Sequence, residues 1–245
     1  AYVADDVTGL LIINISNPAS PVLAGSYDTP MYASDVALSG NYAYVADDAS
    51  GLIIINVSNP ASPSYAGSYN TACYALGVAV SGSFAYVADE DSGLVVLNIS
   101  DPAAPALAGY YKTPGLSMAL ALADGYVFIA DHSAGLGIYE GYGPAGSLAS
   151  GRYDTPGTAY DAALSGNYAY VADGSSGLRI VNIGNPASPF LAGFYDTPGN
   201  SFGVAVSGNY AYVADGNSGL KIINISDPSS PTLTGYYDLT GGTRG

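Results

Sequence analysis

Asp89, Glu90 and Asp91 stand in a row, and adjacent hard oxygen donors suit a calcium ion (Ca2+) better than a softer metal. No EF-hand or glycine-aspartate nonapeptide spacing surrounds them. The same residue types also close tight turns, and Asp47 before Gly51 reads as an Asx-type turn that accepts local backbone N–H groups. A second acid pair, Asp35 and Asp161, lies 126 residues apart in matching surroundings; either each caps a strand, or the two share a cation or a water cluster. His132 beside Asp131, with Glu140 further on, is where a general base would be sought. General-base chemistry needs a nucleophile or activated water within hydrogen-bond reach, and nothing in the sequence supplies one. The phosphate-cradling GxxxxGK[ST], the GxSxG elbow and HExxH are all missing. Cys73, the single cysteine, excludes an internal disulfide and a cysteine zinc cage and reads as an incidental thiol. Tyr32, Tyr74, Tyr160 and Phe202 do not recur with the other aromatics, and exposed rings of this kind stack on sugars or anchor a protein partner.

The elements that carry these residues are repeats. AYVAD begins at Ala1, Ala43, Ala85, Ala169 and Ala211, and VFIAD at Val127, so units start every 42 residues. Each motif is followed by a glycine-led apolar run such as GLIIINVS, an NPASP-like turn and a segment close to LAGxYDTP. Glycine and proline punctuate short runs rich in β-branched and aromatic residues, which reads as four strands per unit. In the second unit, strand A falls near Asp35 to Leu38, B near Tyr42 to Ala46, C near Leu52 to Val57 and D near Ser64 to Tyr69. Four antiparallel strands in 42 residues, six times over, predict an all-β, six-bladed β-propeller forming one domain over 1–245. Strand C does not alternate because both faces must be covered. Only five A strands are present, so the first blade lacks its innermost strand. The expectation is a clipped product or a slice of a longer protein, or a gap filled by the GGTRG end.

GLLIINISNP, GLVVLNISDP and GLKIINISDP resemble the LVIVD repeat of bacterial and archaeal cell-surface proteins, and AYVAD is similar to the related surface-layer YVTN type. The likeness covers all six copies. It departs at the fifth motif letter, where Asn14, Asn56, Asn98, Asn182 and Asn224 replace aspartate. The resemblance implies a propeller at the cell surface or outside the cell and carries over no catalytic residue.

Twenty acids against five Lys and Arg give a formal charge of −15, which opposes nucleic acid and anionic lipid as partners. No apolar run is long enough for direct membrane insertion. In a propeller the D-to-A connectors and B-to-C turns share a face, and sixteen of the twenty acids fall in them. Arg152, Arg179 and Arg244 are too few for the arginine cluster of a propeller sialidase, and the chain has no Trp for a quinoprotein. In this geometry Asp35 and Asp161, three blades apart, are expected to face each other across the axial mouth. The NxS triplets at Asn14, Asn56, Asn98 and Asn224 match glycosylation acceptors and also suit local backbone bonding. The reading is a non-catalytic extracellular module that binds protein or glycan through its acidic, tyrosine-bearing face; the alternative is a hydrolase or lyase with its site at the axial mouth.

Overall fold

The computed structural model describes residues 1–141 and 149–238; the YGPAGS segment that replaces SNPASP in the fourth repeat, the GGTRG end and Arg244 lie outside the described residues. Six consecutive antiparallel sheets, one per repeat, are the blades of a β-propeller, and no helix occurs among the described residues.

The chain forms two compact units. The first covers residues 1–112. Its opening sheet has three strands, β1 (Tyr2–Ala4), β2 (Leu10–Asn14) and β3 (Val22–Tyr27). The next two sheets have four strands each, β4 (Asp35–Ser39), β5 (Tyr42–Ala46), β6 (Leu52–Asn56) and β7 (Ser64–Tyr69), then β8 (Gly77–Ser81), β9 (Phe84–Asp89), β10 (Gly93–Asn98) and β11 (Ala106–Tyr111). The second unit, from Thr113, holds three four-stranded sheets. They comprise β12 (Ala119–Ala123), β13 (Tyr126–Ala130), β14 (Leu136–Glu140) and β15 (Ala149–Tyr153); β16 (Asp161–Ser165), β17 (Tyr168–Ala172), β18 (Leu178–Asn182) and β19 (Phe190–Tyr195); and β20 (Gly203–Ser207), β21 (Tyr210–Ala214), β22 (Leu220–Asn224) and β23 (Thr232–Tyr237). The expected strands of the second repeat lie where they were placed, except that A runs one residue longer and C one residue shorter.

Packing explains the continuous apolar third strand. In β6, Leu52 and Ile54 turn toward Val78, Ala85, Val87 and Leu97 of the following blade, while Ile53 and Ile55 turn toward Leu10 and Ile12 of the preceding one. The second unit repeats this, with Leu178 and Ile180 packed on Val204, Val213 and Ile223 and Val181 on Phe128, Leu136 and Ile138. Each fully buried aliphatic side chain contributes about 1.5–3 kcal/mol. A strand with both faces covered therefore has no solvent side on which a polar residue would be neutral.

Two glycines explain the motif letters around these strands. Gly51 has φ 75°, and a Cβ there would stand 2.4 Å from the Tyr69 carbonyl oxygen and 2.5 Å from the Thr71 nitrogen. Only glycine fits a left-handed position pressed against neighbouring backbone. In the outer strand a bulge between Ile54 and Ile55 leaves Ala66 as the extra residue and bends β7. The next residue, Gly67, then approaches the proline turn of the following blade so closely that a Cβ would meet the Pro102 carbonyl oxygen at 2.2 Å. The same 2.2 Å approach recurs at Gly25 on Pro60 and Gly193 on Pro228. Within the turns, Asn56 Oδ1 accepts the Ser58 N–H at 2.9 Å, and Asn14, Asn98 and Asn224 do the same with Ser16, Ser100 and Ser226 at 2.9 Å. The NxS asparagines thus hold their own turns.

A methyl group at this outer-strand contact has nowhere to go. Gly67→Ala is expected to lower stability by about 1–3 kcal/mol, read as a lower urea midpoint with unchanged slope, whereas Gly40→Ala, whose Cβ would meet nothing within 4 Å, costs only the left-handed backbone strain.

Candidate functional site

The turn between the B and C strands is built in the same way from blade to blade. In the second blade the Asp47 N–H donates to the Gly51 carbonyl at 2.9 Å and the Ser50 N–H to the Asp47 carbonyl at 2.9 Å. The turn then zips to the connector that leaves its blade: Asp48 N–H donates to the Ala75 carbonyl at 3.2 Å and Ala75 N–H returns to the Asp48 carbonyl at 3.0 Å. Asp6 with Ala33, His132 with Ala159 and Gly174 with Ser201 form the same bridge.

The aspartate of AYVAD ties the turn to the connector that enters the blade. Asp47 Oδ2 accepts the Met31 N–H at 3.0 Å and Asp89 Oδ2 the Cys73 N–H at 3.1 Å. Asp131, Asp173 and Asp215 accept the N–H groups of Gly115, Gly157 and Gly199 at 2.9 Å. All five of these aspartates are 0% exposed. This corrects two expectations. The carboxylate does not close a local Asx-type turn; it reaches a backbone amide sixteen residues earlier. Nor do these acids charge a surface, because five of the sixteen assigned to the acidic face are interior. The threonine of the YDTP segment lies buried beside them: Thr155 and Thr197 donate to Asp173 Oδ1 and Asp215 Oδ1, and Ser201 joins the second pair. Burial pushes the carboxyls of Asp131 and Asp173 above the ordinary value, opposed by hydroxyl and amide donors and by Arg152 and Arg179.

The acids that remain at the turn tips belong to the first unit: Asp6 and Asp91 are exposed, Asp48 and Glu90 half-buried. Near them Tyr32 and Tyr74 are 47% and 48% exposed. Val7, Tyr27, Asp28, Thr29, Pro30, Met31 and Tyr32 line an open depression of about 460 Å3. Asp89, Glu90 and Asp91 diverge: Asp89 is tied inward, Glu90 Oε2 lies 3.5 Å from Cys73 Sγ, and Asp91 pairs with Lys112 at 3.0 Å. Among the described residues no three His, Cys, Asp or Glu side chains gather into a metal-binding group.

Asp35 and Asp161 each act within their own unit. Asp35 accepts the N–H of Val36 at 2.8 Å and of Val78, in the next blade, at 2.9 Å. Asp161 accepts those of Ala162 at 2.8 Å and Val204 at 2.9 Å. Both join neighbouring first strands, and burial raises the Asp161 carboxyl above its ordinary value despite the two amides.

Tyr160 and Phe202 do come together. Their ring centroids are 5.0 Å apart, and His132 meets Tyr160 edge-on at 5.7 Å. Glu140 lies at the far end of β14, away from this row. Sequence reasoning missed the cations that replace aliphatic residues in the third strand. Arg179, at the place of Ile53, is buried, pairs with Asp196 at 2.9 Å and Asp173 at 3.8 Å, and lies over Phe194. Lys221 is buried over Tyr236 and 3.7 Å from Asp238. The break in an otherwise apolar column was the available signal.

Six like sheets, one per repeat, define a β-propeller repeat protein, a class that generally serves as a binding or structural module. The chain belongs to the LVIVD repeat family, which matches residues 1–29, 31–71, 72–113, 114–139, 156–197 and 198–239. No curated protein matches it. Among solved structures it is similar to a functionally unknown protein from Desulfotomaculum acetoxidans DSM 771, at 16% identity and TM-score 0.74, covering 91% of this chain and 75% of that one. The β-propeller domain of Cps50 (Swd1) from Myceliophteria thermophila superposes at 12% identity and TM-score 0.74, covering 97% and 82%. A computationally designed protein, Ika8, gives 12% and 0.70, covering 96% and 71%. At such identities the likeness is one of fold.

The raised carboxyls set a pH dependence. Asp131, Asp161 and Asp173 bind protons more tightly folded than unfolded, so acidification from neutral pH toward their ordinary value of 3.8 favours the folded state. Urea midpoints are expected to rise as pH falls from neutral into the mildly acidic range. The rise should be smaller in Asp131→Asn, whose amide oxygen can still accept the Gly115 N–H.

Proposed function

We propose that the protein is a non-catalytic binding module that works outside the cell or on its surface, and that the turn-and-connector side of its first unit receives a cationic segment of a partner protein. The observation that carries this reading is the pairing of tip acids Asp6, Asp48, Glu90 and Asp91 with the exposed rings of Tyr32 and Tyr74 in one unit. Acids that reach solvent in whole or in part steer a basic chain and accept its ammonium and guanidinium groups, at Asp91 in competition with Lys112, while tyrosine faces hold cations and aliphatic stems. The neighbouring depression, which Met31 helps to line, offers room for a side chain. A net charge of −15 favours such a partner over anionic ones. The family likeness to surface repeat proteins supports the location.

A labelled oligolysine peptide tests both halves. It is expected to bind the purified protein, to weaken as salt rises, and to lose about tenfold in affinity when Asp48→Asn, Glu90→Gln and Asp91→Asn are combined. Equal binding by that variant would reject the acidic site. The peptide should also mark unpermeabilised cells that carry the protein; binding in solution with no signal from intact cells would reject the location alone.

A further inference from the structure

The tip position of the turns changes character between the units. It is Asp6, Asp48 and Glu90 in the first unit, with φ 41°, 47° and 37°, and His132, Gly174 and Gly216 in the second, with φ 48°, 54° and 55°. The left-handed backbone is common to all six, so the residue type is free to vary only at a conformational cost that glycine avoids. Where glycine stands, a ring takes the space. A Cβ on Gly174 would lie 3.3 Å from the Tyr160 ring, and one on Gly216 3.2 Å from the Phe202 ring. These two glycines seat two aromatic rings on the turns, and His132 extends the row.

We infer that this row is a stacking platform for a neutral saccharide, resting on the reading above that turn-and-connector surfaces bind ligands. Three observations select that chemistry. The three rings are half-buried, so each is fixed by its seat while part of it stays accessible. The aspartates of these turns, Asp131, Asp173 and Asp215, are 0% exposed and present no charge to a ligand. The side chains beside the row are exposed and carry hydroxyl or amide groups without charge: Ser133, Ser175, Asn200 and Asn217. A pyranose ring has an apolar C–H face, which packs on an aromatic face, and a rim of hydroxyls, which such neutral donors and acceptors match. A basic peptide finds its acids in the first unit instead. Arg179 and Lys221 offer an anionic sugar no free counter-charge, being buried and already paired with carboxylates, and the exposed Arg152 lies 3.9 Å from the Asp154 carboxylate.

Saturation-transfer NMR with maltohexaose, cellohexaose and, as the charged comparator, oligogalacturonate tests the platform. At least one neutral hexasaccharide is expected to receive saturation, and the oligogalacturonate is not. Combined Tyr160→Leu and Phe202→Leu, which keeps apolar bulk on the glycine seats, should weaken the neutral ligand about tenfold, and combined Tyr32→Leu and Tyr74→Leu should leave it unchanged. No saturation of either neutral sugar, equal binding by the Tyr160/Phe202 variant, or preference for the anionic sugar would each overturn the inference. An unchanged urea midpoint shows that the Tyr160/Phe202 variant is folded, and oligolysine binding by the unsubstituted protein separates failure of the platform from failure of the acidic site. Should oligolysine rather than sugar depend on Tyr160 and Phe202, the platform is a peptide site and the saccharide assignment is wrong.

Discussion

The rest of the structure depends on a carboxylate that has been taken out of water. An ionised side chain at 0% exposure is strongly unfavourable unless donors replace its hydration. Asp47, Asp89, Asp131, Asp173 and Asp215 each find one in the backbone N–H of the connector entering their blade. Hydrogen bonds to a charged acceptor contribute about 1.5–3 kcal/mol, and stranding the charge costs more. A connector cannot lift without leaving its carboxylate uncompensated. The bridge on the other side, as between Asp48 and Ala75, holds the connector that leaves. Where both ties form, a connector is fixed between two turns by groups that recur with the repeat.

That division of labour frees the turn tips. Because the left-handed residue after each tethered aspartate makes its structural bonds through backbone atoms, its side chain is available for other uses. Acids occupy it in the first unit, and histidine or glycine in the second. The connectors vary in the same places. Tyr32 and Tyr74 precede the bridging Ala33 and Ala75, whereas Tyr160 and Phe202 follow the bridging Ala159 and Ser201. A shift of two residues changes a ring standing in solvent into one lying on the turn of the next blade. One scaffold thereby presents two chemically different sets of turn tips, one acidic with exposed tyrosines beside it and one of histidine and glycine with seated rings.

The blades were legible because packing follows local pattern. The unbroken Leu52 to Ile55 run reports two covered faces, and each turn announces itself by its own glycine or proline. The tether was not legible, since Asp47 stands next to a turn it could have capped and its partner Met31 carries no sequence mark; a backbone amide donates whatever its side chain. The glycine of LAGxY was visible as a repeat letter, but its reason, the carbonyl of Pro102 in the following blade, is a tertiary contact. The separation of the four aromatics could have been read from register, because Tyr160 aligns with Ser34 rather than with Tyr32.

Hydrogen exchange resolved at single amides measures the tether directly. The N–H groups of Met31, Cys73, Gly115, Gly157 and Gly199 lie in irregular connectors, where exchange ordinarily needs only local opening. With the buried carboxylates holding them, they should be protected to the same degree as the amides of the third strands. Exchange at the rate of exposed loop amides would contradict the account.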